Sequence, residues 1–306
     1  MRRLVLLLLA ATLTAPAASA ERLAVQLNGE WGAEHAGFAI ARADGLYAAE
    51  GLEVAFRAGR SIEPLIRGEI ELAVEQLAPG LLARERGADV VNIAQILRKP
   101  TARIVCAAPA RVRAPADLRG QAFQPPPPSA EPTLNLALAA LGVVRPRYAV
   151  AAPCRLDRAF EAPPADDFVL ALADMRLGLL EEGVWALGFS LQDAAFAGRA
   201  TRFLRASLEG WARLVRDPTA ALGRVEPDLR DRLAPGASGA AAAVGPGELG
   251  RMDEAGYLAT VRLLTLGWTE ATLTLAPEGA WRDDLRAAAR PAAPAPSAGP
   301  ARGRGR

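Results

Sequence analysis

Lysine and histidine are almost missing from this 306-residue chain: Lys99 is the sole lysine and His35 the sole histidine. One imidazole excludes most histidine-based zinc sites, which need two or three such ligands. A serine–histidine–aspartate triad would have to use His35, and no Gly-x-Ser-x-Gly elbow accompanies it. Arginine and alanine stand where lysine would, a bias that reflects a GC-rich genome rather than chemistry. Cysteine is scarce too. Cys106 and Cys154 leave two readings open, a bridge formed in an oxidising compartment or two small buried thiols. Charge nearly cancels, with 36 Lys and Arg against 34 Asp and Glu, so nothing draws the chain electrostatically to nucleic acid. No segment after the N-terminus is long and apolar enough to span a bilayer, which takes ~20 residues.

The N-terminus carries an export pattern. Met1-Arg2-Arg3 is a basic start, residues 4–13 are a short apolar core, and Ala18-Ser19-Ala20 is a small-residue cleavage site. Residues 1–20 are therefore expected to be a cleavable signal peptide. No cysteine follows to carry a lipid, and a periplasmic protein is expected. The roughly 280 residues that remain suffice for two domains with cores.

Short, continuously apolar runs at residues 23–27, 52–56, 70–74 and 90–96 read as strands of a sheet covered on both faces. Helical segments alternate with them at residues 37–50, 62–67 and 79–86, which argues for an α/β sheet. Residues 102–107 form a further expected strand, and 111–120 a crossing into a second lobe. The run Gln124 to Ser129, with four consecutive prolines, cannot donate to a ladder. Beyond it, 133–141 and 174–181 read as helices, 168–172 and 184–189 as strands. Leu204, Leu208, Trp211 and Val215 mark an amphipathic helix over 201–216. Residues 236–247 read as a small-residue loop, 251–266 and 280–288 as helices. From about Pro291 the Ala/Pro/Gly/Arg composition is too poor in large apolar groups to fold.

The segment from Asn28 to Val54 is the most specific. Leu27, Asn28, Gly37, Ala41, Gly45, Tyr47, Gly51, Leu52 and Val54 stand in the order and spacing of the opening of periplasmic solute-binding proteins serving ABC importers. The branch it resembles takes thiamine pyrimidines, riboflavin, sulfonates, taurine and nitrate. Gly68 to Val74, Ala83 to Ala94, Pro115 to Gly120 and Phe203 to Pro218 resemble later family motifs in the correct order. The resemblance implies a two-lobed α/β fold with parallel-rich sheets flanked by helices and a ligand cleft between the lobes. It divides the chain into a first lobe over 21–112, a shortened second lobe over 113–198, return helices over 199–288 and a tail over 289–306. Where the family has Trp and Pro-Asn, this chain has Gly29 and Trp31-Gly32. His35 occupies a position that is histidine in thiamine-pyrimidine relatives. Synthases of that superfamily use a cysteine-rich motif that is absent here, so no catalysis is expected.

In open α/β sheets, ligands bind outside the carboxyl ends of the strands. Asn28, Trp31, Glu34 and His35 follow the first strand, Glu75 and Gln76 the third, and Gln95 ends the fourth. These seven are the expected ligand-binding residues. Trp31 would stack a planar heterocycle, Glu34 or Glu75 would accept from a ring amine, and His35 and Gln76 would donate or accept. The expected function is delivery of a small heterocyclic solute, akin to a thiamine pyrimidine precursor, to the permease of an ABC importer. The protein would act as a monomer, with no metal or cofactor. A sulfonate- or nitrate-type anion binder, or an exported accessory protein without ligand binding, are the alternatives. Residues 245–250 formally fit Gly-x-Gly-x-x-Gly but follow an alanine run rather than a strand. The adjacent carboxylates Asp166-Asp167, Glu181-Glu182 and Asp283-Asp284 read as solvated faces.

Overall fold

The computed structural model describes residues 20–128, 130–157, 165–245, 247–267 and 279–289. The expected signal segment and tail fall outside them, apart from Ala20 and Ala289.

Two five-stranded sheets organise the chain. The first has the order β2-β1-β3-β10-β4, from β1 Glu21–Leu27, β2 Leu52–Ala58, β3 Leu72–Gln76, β4 Val90–Gln95 and β10 Glu182–Leu187. The second has the order β7-β6-β8-β5-β9, from β5 Arg103–Cys106, β6 Ala122–Phe123, β7 Arg147–Tyr148, β8 Cys154–Asp157 and β9 Phe168–Ala171. The helices are α1 Ala36–Ala43, α2 Leu46–Ala49, α3 Glu63–Ile66, α4 Leu77–Glu85, α5 Glu131–Ala140, α6 Ala194–Arg216, α7 Pro218–Ala221, α8 Pro227–Val244, α9 Glu254–Gly267 and α10 Asp284–Ala288.

The expected two-lobed α/β architecture is present, with the boundaries moved. β1 pairs in parallel with β2 and β3, whereas β10 runs antiparallel between β3 and β4. β5 belongs to the second sheet and β10 to the first. The chain thus changes lobes between β4 and β5 and again before β10, rather than at 112 and 198. Pattern alone misses this, because a fully buried strand reads the same in either sheet. Every residue of β4 and of β10 is buried.

Helices cover both faces of the first sheet. On one face α1, α6 and α8 pack over β1 and β4. On the other, α4 and α9 pack with Leu136 of α5, so the second lobe contributes directly to the core of the first. A third cluster, with Ile104, Leu118, Phe123, Leu134 and Leu138, fills the second lobe. The stripe of α6 that is buried uses Leu214 beside Phe203, Leu204 and Trp211, while Val215 faces out at 47% exposure.

Three local expectations differ. The helix over 37–50 breaks at Asp44–Gly45, where Gly45 takes a left-handed φ of 72°. The helix over 174–181 shrinks to a single 3-10 turn, Leu172–Met175, before the crossing. The loop over 236–247 is instead the second half of α8, despite Pro235 inside it. Alanine's high helix propensity and the burial of Leu229, Leu233, Ala237 and Ala240 on one stripe outweigh the breakers. The proline run behaves as expected, since β6 stops after two residues just ahead of it.

The crossing of α1 and α6 depends on two glycines. A Cβ on Gly210 would lie 2.2 Å from the Gly37 carbonyl oxygen, and one on Gly37 would lie 2.2 Å from Trp211 Cγ. Backbone cannot swing aside as a flexible side chain can. Gly210→Ala should therefore lower the unfolding free energy by about 2 kcal/mol in denaturant titration, whereas Gly198→Ala on the open face of the same helix should not destabilise.

Candidate functional site

Three of the seven predicted residues, Asn28, His35 and Gln76, do converge, but on one another and on Glu182. Asn28, in the turn after β1, is buried, and His35 at the end of the 3-10 turn Ala33–His35 is completely so. The Gly32 N–H donates to His35 Nδ1 at 3.3 Å, which leaves Nε2 to carry the proton and donate to Asn28 Oδ1 at 2.8 Å. Asn28 Nδ2 donates to Glu182 Oε1 at 3.1 Å, and Gln76 Nε2 reaches the same oxygen at 3.5 Å. Thr133 of α5 donates its hydroxyl to Gln76 Oε1. A buried polar chain thus runs from the only imidazole, through the first strand of the return crossing, to the second lobe.

Gln95 serves the crossing itself. Its Nε2 donates to the carbonyls of Leu97 and Glu181, both at 2.9 Å, and its Oε1 accepts from Asn92 Nδ2 at 3.0 Å. Glu181 Oε2 accepts from Thr101 N at 2.9 Å and Thr101 Oγ1 at 2.7 Å, tying the outgoing crossing to the returning one. Glu181 and Glu182 are both buried. This corrects their reading as a solvated face. Adjacent residues do point apart, but here Glu181 points to Thr101 in the outgoing crossing and Glu182 to Asn28 and Gln76 at the ends of β1 and β3. Thr133 was likewise missed, standing among apolar neighbours that signal only core. The available hint was an acidic pair directly ahead of an unbroken apolar strand, with no arginine nearby to explain it.

Trp31 and Glu34 sit to the side. The Trp31 ring packs edge-on against Phe56, with centroids 5.1 Å apart, and Arg42 lies 5.0 Å above it. Its centroid is 6.1 Å from that of His35, at right angles. Glu34 folds back over its own turn, so that a Cβ on Gly32 would stand 2.4 Å from Glu34 Oε2.

Glu75 lines an open cavity. That cavity, about 170 Å³, lies where Arg60 and Ser61 after β2, Glu75 at the end of β3 and Pro79 of α4 face Pro128, Glu131 and Pro132 of the second lobe. Gln76 N–H donates to Glu75 Oε1 at 2.8 Å, and Trp185 Nε1 donates to the Glu75 carbonyl at 3.0 Å. The charged groups there are Glu63, Glu75 and Glu131 with Arg60 and Arg86, of which Arg86 and Glu63 approach to 4.0 Å.

A wider cavity of about 710 Å³ lies at the outgoing crossing, lined by Arg98, Lys99, Gly245, Gly247, Arg251 and Trp281 among others. The glycine motif that lines it follows helix α8, not a strand, and so lacks a dinucleotide-binding context. Arg286 there bridges Glu248 and Asp283, so much of the charge is satisfied internally. Among the described residues no cluster of three His, Cys, Asp or Glu could hold a metal ion, and no helix is long and apolar enough to cross a membrane.

The polar chain gives a direct expectation. Glu182→Ala would leave two buried amide donors, on Asn28 and Gln76, without their shared acceptor. The unfolding free energy should fall by about 2–3 kcal/mol, measured in urea, while Glu209→Ala on the surface of α6 should cost well under 1 kcal/mol.

Residues 32–160 match the family model described as NMT1/THI5 like. No curated protein matches the chain. Among solved structures, the alkanesulfonate-binding protein SsuA from Xanthomonas axonopodis pv. citri, bound to MOPS, superposes with a TM-score of 0.64 at 17% identity, covering 87% of this chain and 100% of that one. The periplasmic aliphatic sulphonate binding protein SsuA from Escherichia coli gives 0.62 at 17% identity, covering 87% and 91%. The desulfurization enzyme DSZB gives 0.55 at 11% identity, covering 88% and 98%. The chain has the periplasmic-binding-protein fold, a fold that binding proteins and at least one enzyme share.

Proposed function

We propose that this chain is the solute-binding component of an ABC-type importer, exported to the periplasm and working as a monomer with a membrane permease. The carrying observation is the cleft at the carboxyl ends of β2 and β3, which the start of α5 closes from the second lobe. Parallel strands deliver side chains to that edge, and a hinge of two crossings lets one lobe open against the other. The likeness to SsuA proteins supports the same reading at the level of the fold.

The solute favoured is a small heterocycle bearing an amine, of the pyrimidine type. His35 no longer supports that choice, because its ring is engaged by Gly32 and Asn28. Glu75 supports it instead: its carboxylate stands in the cavity wall and, besides accepting from the Gln76 N–H, would accept from a ring amine. Arg60 and the SsuA likeness favour a second reading, a sulfonate. The cavity's 170 Å³ falls below the ~300–1,000 Å³ usual for ligand pockets, and this favours the third, an accessory protein without ligand.

A thermal-shift panel of aminopyrimidines, flavins, sulfonates and nitrate separates the three. A solute at 100 times its Kd should stabilise the mature protein by ~2.7 kcal/mol. An aminopyrimidine response abolished by Glu75→Gln supports the first reading, and a sulfonate response abolished by Arg60→Gln the second. No response to any solute would remove solute binding and leave the accessory role.

A further inference from the structure

At the outer edge of the second sheet, five arginines gather on one exposed surface. β7 is an edge strand, paired only with β6, and Arg147 stands opposite Ala122 at the start of both. The turns leading into the two strands therefore adjoin. Arg147 Nη2 donates to the Gly120 carbonyl at 2.6 Å, and Arg119 Nε to the Leu141 carbonyl at 3.1 Å. Gln121 Nε2 reaches the Ala110 carbonyl at 3.4 Å, which brings residues 111–113 alongside. Arg111, Arg113, Arg119, Arg145 and Arg147 are all exposed.

Residues 108–123 and 141–151, which form this edge, contain one carboxylate, Asp117, and a second, Asp167, reaches it by accepting from the Ala108 N–H at 3.2 Å, so five arginines face two carboxylates. The backbone N–H groups of Arg113 and Ala114 donate to Asp117, both at 3.0 Å, and hold its carboxyl below the usual range. Val144, beside Arg145, is 45% exposed, and Val150, just past β7, is 87% exposed. Neither valine belongs to the three core clusters. The whole chain has a formal net charge of only +2, so this excess is local.

We propose that this edge of the second lobe docks peripherally on an anionic phospholipid surface. Guanidinium groups match phosphate oxygens bidentately and are weakly hydrated, so they give up water readily at a headgroup layer. Attraction of such a patch to anionic lipid grows with each cation and is screened within a Debye length. Two separated, outstanding valines among cations suit a soft, flat layer better than a shaped protein groove. Docking of this kind would hold the protein close to a membrane whatever occupies its cleft.

The test is co-sedimentation of the full mature chain with vesicles of phosphatidylglycerol and phosphatidylcholine, against phosphatidylcholine alone. Binding is expected to the first at low salt, weakening steeply as salt rises. Arg113→Gln with Arg145→Gln, two side chains on the edge, should weaken partitioning roughly 10–30-fold. Arg216→Gln with Arg232→Gln, exposed on other helices, should leave it unchanged. Val144→Asp should also weaken it. The arginine-containing C-terminus supplies the decisive control. If replacing Arg302, Arg304 and Arg306 by Gln abolishes binding while the edge variant binds normally, the proposal is overturned. It is equally overturned if both exposed pairs weaken binding alike, or if the chain ignores vesicles and its edge is instead captured by an acidic protein. Circular dichroism of each variant separates lost binding from lost folding.

Discussion

Replacing Cys106 and Cys154 together by serine should lower the unfolding free energy by about 4 kcal/mol. The two cysteines face each other across the neighbouring strands β5 and β8 and are joined by a disulfide. Their sequence separation is 48 residues, and the closed loop holds β6, α5, β7 and the proline run. In the chain-entropy account, a loop of that length loses much of its freedom in the unfolded state. The second lobe also needs the help. Its strands β6 and β7 have two residues each, and its own core is the smallest of the three clusters. Denaturant titration with and without reductant measures the effect. Serine variant and reduced wild type should coincide, and the loss should appear first in signals from the second lobe. A change under 1 kcal/mol would mean that the lobe is held by its contact with α9 rather than by the bridge.

Trp185→Ala should cost about 3–5 kcal/mol. The side chain is fully buried in β10 and packs so closely on α4 that a Cβ on Gly80 would lie 2.2 Å from its Cζ2. It also donates Nε1 to the Glu75 carbonyl. Trp185→Phe separates the two contributions, since it keeps much of the ring packing and deletes the donor, at about 1 kcal/mol plus any void. Because Glu75 lies in the cleft wall, both variants should also blunt any solute-induced thermal shift. If Trp185→Phe reduces stability while leaving that shift intact, the indole supports the fold but does not position Glu75.

Much of the fold was legible beforehand because its signals are local. The apolar runs of β1, β2 and β3 declare themselves by composition, whereas the break at Gly45, which takes a positive φ, does not, because a lone glycine is tolerated inside a helical pattern. The prolines after Phe123 end a strand wherever they occur. The polar residues after β1 and β3 were found for the same reason, since a strand's carboxyl end can be read off its own pattern. Their roles could not be found that way. Whether Asn28 meets a ligand or meets Glu182 depends on a partner 154 residues away along the chain, and nothing local distinguishes a free amide from a bonded one.

The chain alone settles that it forms alternating strands and helices, that one imidazole and two cysteines limit its chemistry, and that its opening motif resembles that of solute-binding proteins. Those are properties of neighbours within a few residues, governed by backbone sterics and side-chain period. Only the folded arrangement decides that β10 returns antiparallel into the first sheet, that Glu181 and Glu182 are buried where the chain crosses between the sheets, that Cys106 meets Cys154, and that Glu75 lines a cavity facing the second sheet's lobe. Each of those outcomes rests on contacts between segments far apart in sequence, whose mutual burial outweighs local preference.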